Sequence, residues 1–275
     1  MIELPEANTL AAQLNANVRG ERIGSVVAAA SPHKFAWFLG DPQTYANRMR
    51  GRTVGSAQAF GGIVEIDLSG APLILAEGIN LRLHESEEGL PKKHQLVLGF
   101  EDGRYLSASI QMYGGIWFCD EDPFENPYYV GAKEKPSPLS DSFSLAYFRN
   151  LIDAEKVQTK SAKAFCATEQ RVPGLGNGVL HDILFSARLH PKRRISDLCQ
   201  SVRETLYESI RAVLADMTGK GGRNTEKNLH DEPGSYDTRF CKGTVGTPCP
   251  GCAAPIEKDS YMGGSVYFCA RCKEL

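Results

Sequence analysis

No run of about 18 apolar residues occurs anywhere in the 275-residue chain, so no membrane-spanning helix is expected. The first residues show no basic stretch followed by an apolar one, and a cytoplasmic protein is expected. No internal repeat is evident. Nor is there an excess of one charge: 31 Lys and Arg face 33 Asp and Glu, a net charge of −2, which by itself does not suggest a nucleic-acid binder.

The charge is nevertheless uneven. Residues 1–144 hold 12 basic against 18 acidic side chains, and residues 145–275 hold 19 against 15, so the halves carry −6 and +4. A mild total can hide a local basic face. Hydrophobic residues make up 42% of the chain, enough for one large or two smaller cores.

Residues 5–17 have the pattern of a short leading helix, with Pro5 near its start and Leu10 and Leu14 one turn apart. From about 20 to 130, short apolar runs such as IVEIDL, APLILA and RYLSASI alternate with Gly, Pro or Asp. That texture predicts an antiparallel β sandwich or barrel, with EDGRY (101–105) as a hairpin turn. GAKEKPSPLSDSF (131–143) reads as a linker. Helical patterns follow in 143–170, in GVLHDILFSARL and in ISDLCQSVRETLYESIRAVLADM, the last with Ser196 as its cap and Gly219 as its stop. GKGGRNTEKNLHDEPGS (219–235) is polar and glycine-rich and is expected to be a mobile loop.

Eight cysteines are present, and four close the chain as Cys249-Pro-Gly-Cys252 and Cys269-Ala-Arg-Cys272, sixteen residues apart. Two tight turns carrying thiolate pairs build a closed tetrahedral site that suits zinc. With four sulfur ligands no position is left for chemistry, so one structural zinc is expected. Between two helical segments, RVPGLGNG (171–178) is a glycine turn whose amides can approach an anion at a helix N-terminus. A plain helix–helix turn fits the motif equally. Lys160, Lys163, Arg171 and the HPKRR stretch at 190–194 add basic residues around it.

Taken together, ELPE (3–6), KH (93–94), Tyr113-Gly114, the run from KAF at 163 through VPGLGNGVLHDILFSARLHPKR, Gly221-Gly222, PGSY (233–236) and the two cysteine pairs resemble the formamidopyrimidine-DNA glycosylase / endonuclease VIII family over nearly the whole chain. The resemblance implies an α+β protein: an N-terminal β-sandwich domain with a leading helix (1–132), a linker (133–142), a helix–two-turn–helix domain (143–236) and a four-cysteine zinc finger (237–275). It implies a monomer that acts near the nucleoid on double-stranded DNA with damaged or abasic sites. Such enzymes excise oxidised or ring-opened bases. An N-terminal amine attacks C1′, the adjacent glutamate assists ring opening, and elimination from an imine cuts the strand. The implied catalytic residues are Met1 or Ile2, Glu3 and Glu6. The implied DNA contacts are His94, Gln111, Met112, Lys163 and Asn177.

The departures from the family pattern cluster at the chemistry. Ile2 stands where the family has its proline, Gly62 where it has a lysine, and Gly264 where its finger has an arginine. Isoleucine beside Met1 predicts poor methionine removal. Gln111-Met112-Tyr113 resembles a wedge that fills a vacated base position, and it fits a packed strand end equally. Three activities stay open: imine chemistry by a primary amine, water activated by Glu3 without strand cutting, and damage recognition without catalysis.

Overall fold

The computed structural model describes residues 1–121 and 123–272. Helix α1 (Leu4–Asn17) opens the chain, and Pro5 sits in its first turn, where a missing N–H costs no helical hydrogen bond. The Glu6 side chain turns back to accept from the Glu3 amide at 3.2 Å, supplying one of the acceptors a helix start lacks. One face of α1 buries Ala7, Leu10 and Leu14 in the sandwich core, while Leu4 packs into the helical core. The first helix therefore touches both halves of the protein.

Strands β1 (Ile23–Ala28), β2 (Ala36–Phe38), β3 (Val54–Phe60), β4 (Ile63–Leu68), β5 (Ala71–His84), β6 (Leu96–Phe100) and β7 (Tyr105–Phe118) form one hydrogen-bonded sheet in the order β1-β6-β7-β5-β4-β3. β2 pairs in parallel with β7, beyond the end of β6. Helix α2 (Tyr45–Met49) lies between β2 and β3. The sheet wraps around a core of Ile23, Val64, Leu73, Leu81, Leu98, Leu106 and Ile116. Its bend lies in the two long strands. Ile79 pairs with Ile110 and Glu77 with Gly114, so Gln111, Met112 and Tyr113 together oppose Gly78. Gly78 is required there, because a Cβ would strike the Tyr113 carbonyl. The extra residues on β7 form a bulge, and bulges bend and twist the strand that carries them. Gln111-Met112-Tyr113 thus lies in the middle of β7 rather than at a strand end.

Helix α3 (Pro127–Glu134) covers the outer face of the sheet through Tyr129 and Ala132, so a stretch with linker composition begins as packed helix. Helices α4 (Leu145–Ile152), α5 (Ala162–Ala167), α6 (Asn177–Ser186) and α7 (Gln200–Gly219) enclose a second core that includes Phe143, Phe148, Phe165, Leu180, Ile210 and Leu214. Ser196 does not cap α7, which begins at Gln200. Ser196 is held in a preceding turn, its amide donating to the Gln158 carbonyl and its hydroxyl bonding Asp197, while buried Ile195 pins that turn to the core. The hairpin β8 (Glu257–Tyr261) and β9 (Gly264–Phe268) completes the described chain.

The loop after α7 is not mobile as expected. Gly222 donates to the Met217 carbonyl, Tyr236 to that of Gly222 and Asn224 to that of Tyr236, and Arg223 is buried. What orders so polar a loop is an ion pair with the first helix.

Candidate active site

Glu3 and Glu6 are both buried, at 4% and 5% exposure, where the β sandwich meets the helical unit. Two buried carboxylates need donors. Glu3 takes its donors from α6: Oε1 accepts from the Gly178 amide and Oε2 from the Val179 amide, both at 2.8 Å. The glycine turn thus points its helix N-terminus at an internal carboxylate. Two glycines make this approach possible. A Cβ at Gly176 would lie 2.6 Å from Glu3 Oε1, and one at Gly178 would overlap the Arg223 guanidinium.

Glu6 is held by Arg223. Nε and Nη2 of the guanidinium donate to Oε1 and Oε2 at 2.9 and 2.8 Å, and the Arg223 amide adds a third bond at 3.1 Å. Arg223 Nη2 also reaches the Met1 carbonyl at 3.1 Å, and Nη1 lies 3.9 Å from Glu3. The Met1 ammonium pairs with Glu226, one turn along the same loop. The two glutamates titrate in opposite directions. Burial raises the Glu3 carboxyl above its usual range despite the opposing Arg223 charge, and the Glu6 charge adds to the rise. Burial pushes Glu6 the same way, but the charge and hydrogen bonds of Arg223 outweigh it and hold Glu6 low. Of two carboxylates driven apart in this way, Glu3 holds a proton more readily and Glu6 stays an anion.

Gly62 lies against the N-terminal segment, where a Cβ would sit 3.1 Å from the Ile2 carbonyl and 3.5 Å from Glu3 Cα. Across the segment, Leu4 donates to the Gly174 carbonyl at 3.0 Å. A longer side chain at 62 would displace the chain start. The Ile2 side chain is 7% exposed and packs in the sandwich core.

Lys163 and Asn177 meet at the hairpin. Lys163 is 6% exposed and donates from Nζ to the Tyr261 carbonyl at 2.8 Å, and burial lowers its pKa. Asn177 Nδ2 donates to the Ser265 carbonyl at 3.0 Å. As placed, both side chains tie the hairpin to the helices, and Gly264 lies beside Lys163. His94 sits apart, half-buried, with Nδ1 2.8 Å from the Pro91 carbonyl. Gln111 and Met112 project from the β7 bulge, Met112 at 64% exposure. The fold thus gathers Met1, Glu3 and Glu6 through Arg223 and leaves His94, Gln111, Met112, Lys163 and Asn177 outside that cluster.

At the hairpin base, Sγ atoms of Cys249, Cys252, Cys269 and Cys272 lie within 4.8 Å of one another. The Cys249–Cys272 and Cys252–Cys269 separations are 3.7 and 3.4 Å. Metal–sulfur bonds of about 2.3 Å in a tetrahedron require sulfur edges near 3.8 Å. The four cysteines are positioned to bind a metal.

Glu226 and Arg223 were not legible in the sequence as site residues. The only local signal is an arginine directly after the Gly221-Gly222 pair, in a loop otherwise suited to solvent.

A model of the formamidopyrimidine-DNA glycosylase N-terminal domain matches residues 1–109. Formamidopyrimidine-DNA glycosylases of Thermus thermophilus and Listeria innocua are 29% and 24% identical to the chain. The first aligns with 99% of this chain and 98% of its own, the second with 100% of both. The chain is similar to formamidopyrimidine-DNA glycosylases along its whole length. Solved family structures share the fold throughout. The MutM (Fpg) protein of T. thermophilus has a TM-score of 0.82 at 24% identity over 98% of each chain. Lactococcus lactis Fpg bound to DNA containing an oxidised pyrimidine has a TM-score of 0.83 at 25% identity, over 99% of this chain and 100% of that one.

Proposed function

We propose that the chain is a DNA repair glycosylase that removes oxidised or ring-opened bases and retains imine chemistry at a primary amine. The meeting of an exposed terminal amine, paired with Glu226, with a buried, protonatable Glu3 and the buried Glu6–Arg223 pair carries this reading. The Met1 ammonium gives up its proton, with the Glu226 carboxylate as the adjacent acceptor. The freed nitrogen attacks C1′ of the damaged nucleotide. Glu3 donates its proton to the ring oxygen as the sugar opens, the bond from C1′ to the base breaks, and the base leaves as the imine forms. Loss of a proton from C2′ then expels the 3′ phosphate and cuts the strand.

DNA would lie between the sandwich (1–132) and the helical unit (143–236), joined by residues 133–142, with the hairpin unit (237–275) against its backbone. Of that last unit, residues beyond Cys272 lie outside the described chain. Phosphate contacts position such a protein, and they make binding fall steeply with salt. Asn177 and Lys163 would serve by holding the hairpin against the helices, and His94, Gln111 and Met112 by meeting the duplex. Among the described residues no helix is long and apolar enough to cross a membrane, in keeping with action at the nucleoid. The metal proposed for the four cysteines is a single zinc. It would close the hairpin and take no part in the chemistry, because four thiolates fill a tetrahedral shell.

A second reading is supported by Gly62 and Gly264: a protein that recognises damage without cutting. Borohydride trapping on duplex carrying an abasic site separates the two. Reduction should leave a covalent adduct on Met1, located by mass spectrometry. Tight binding with no adduct would establish the second reading in place of the first, or the variant in which water replaces the amine.

A further inference from the structure

The loop from Gly219 to Ser235 holds one large apolar side chain, Leu229, among polar and charged neighbours. Solvent is the expected place for a lone leucine in such a stretch. Its side chain is instead fully buried, and it lies in the core of the β sandwich. Both feet of the loop stand in the other core. One is Met217, in the last turn of α7, and the other is Tyr236, whose hydroxyl donates to Asp182 at 3.0 Å. The loop therefore leaves the helical unit, seats its apex in the sandwich and returns. Three further contacts hold the apex. The Leu229 amide donates to Gln13 Oε1 of α1 at 2.9 Å, and the Leu229 carbonyl accepts from the Leu83 amide of β5 at 2.9 Å. Arg82 Nε donates to Asp231 Oδ1 at 2.9 Å.

Arg223 and Glu226 lie on the first limb of this strap, between the Met217 foot and the Leu229 apex. The two limbs brace each other: the Glu226 carbonyl accepts from the Gly234 amide at 3.1 Å, and Lys227 bridges to Pro233. Glu226 is three residues from Leu229, so the seat of the leucine sets where the carboxylate stands. One carboxylate oxygen pairs with the Met1 ammonium, and the other lies 3.9 Å from Arg223 Nη2. The chain start crosses the same junction, with Ile2 packed in the sandwich core and Leu4 in the helical core. The amine and its acceptor thus reach the junction on separate pieces of chain, 225 residues apart. Their meeting depends on how far the strap reaches. Misplacing a reacting group by about 1 Å can cost about 100-fold in rate.

We propose that Leu229 and Gln13 are positioning residues: they seat the strap so that Glu226 stands at the Met1 amine and takes the proton the ammonium gives up before its nitrogen attacks C1′. Neither touches the amine. Leu229 acts by filling its place in the sandwich core, and Gln13 by accepting from the Leu229 amide. The residue they fix is the partner of the reacting nitrogen. This assignment rests on the imine reading of the site and adds to it the element that aligns the proton acceptor.

Single-turnover borohydride trapping on saturating abasic duplex reads imine formation apart from binding, and thermal melts set a temperature at which each variant is folded. Glu226→Gln should slow trapping by about 100-fold or more, the low end of what a positioned base contributes. Leu229→Ala should slow it by roughly 10- to 100-fold and Gln13→Ala by a lesser factor, with affinity for the abasic duplex essentially unchanged. Leu229→Met, which conserves volume, should restore most of the rate. Gln13→Ala leaves the core filled and carries the test if Leu229→Ala does not fold. In the Glu226→Gln background, Leu229→Ala and Gln13→Ala should each cost little more, because residues that act through one group are not additive. Losses that multiply in the double variants would overturn the positioning role and leave the imine reading standing. So would Glu226→Gln or Leu229→Ala trapping at the parent rate. A parent protein that forms no adduct would sink both.

Discussion

Replacing Arg223 by methionine tests how the candidate site is held together. The guanidinium is 3% exposed and makes two side-chain bonds to Glu6, with the amide of the same residue adding a third. Methionine fills similar volume but supplies no charge. Glu6 and Glu3 would then share a buried space with no cation between them. Removing one partner of a buried pair costs about 3–5 kcal/mol, which at about 2–4 °C per kcal/mol lowers the melting temperature by roughly 6–20 °C. The pH dependence gives the sharper test. In the parent, Glu6 is held low, so its pairing stabilises the fold above the unfolded value of about 4.3 and is lost as pH falls through the folded one. In Arg223→Met the same carboxyl is raised, so its burial as an anion destabilises at neutral pH and is relieved as acid protonates it. The difference between the two proteins should therefore shrink from pH 8 toward pH 4. Thermal melts across that range measure it, with Arg223→Met/Glu6→Gln recovering much of the loss at pH 7. A variant melting within about 2 °C of the parent at pH 7 would refute this account, as would a difference that does not change with pH.

Glu3→Gln should abolish base release and the borohydride adduct while leaving abasic-duplex affinity within about threefold; excision retained at the parent rate would remove Glu3 from the mechanism. Gly62→Lys restores the residue that the family resemblance implies, but its Cβ would press on the Ile2 carbonyl. It should lower stability by about 1–3 kcal/mol and reduce strand cutting, and increased nicking would show that the site has room for the lysine. Cys269→Ser should drop the metal content from one zinc per chain and weaken DNA binding, as read by metal analysis and anisotropy; normal binding without metal would take the hairpin out of the interface. Asn177→Ala releases one tether of the hairpin, so it should weaken damaged and intact duplex alike; a loss confined to damaged duplex would point to lesion recognition instead.

What the sequence determined by itself was the order of parts. Alternation in the first half specifies strands, the 3.6-residue pattern in the second specifies helices, and paired cysteines at fixed spacing specify a metal turn. Each is a local signal, readable because period and spacing are properties of neighbouring residues. ELPE was legible too, since a capped helix with two early glutamates is written in four letters. Tertiary structure decided the rest. Arg223 is 217 residues from Glu6, and nothing near it announces a buried partner, so composition alone makes the loop that carries it a solvated one. The same holds for the Glu3 contact with the α6 amides and for Trp37 beside Tyr113. Ser196 lost its place as a cap because the buried Ile195 and a bond to Gln158 outweighed a local preference worth about 1 kcal/mol. Burial turns isolated charges into pairs, and which charges are buried together is settled only when the two cores close on the first helix.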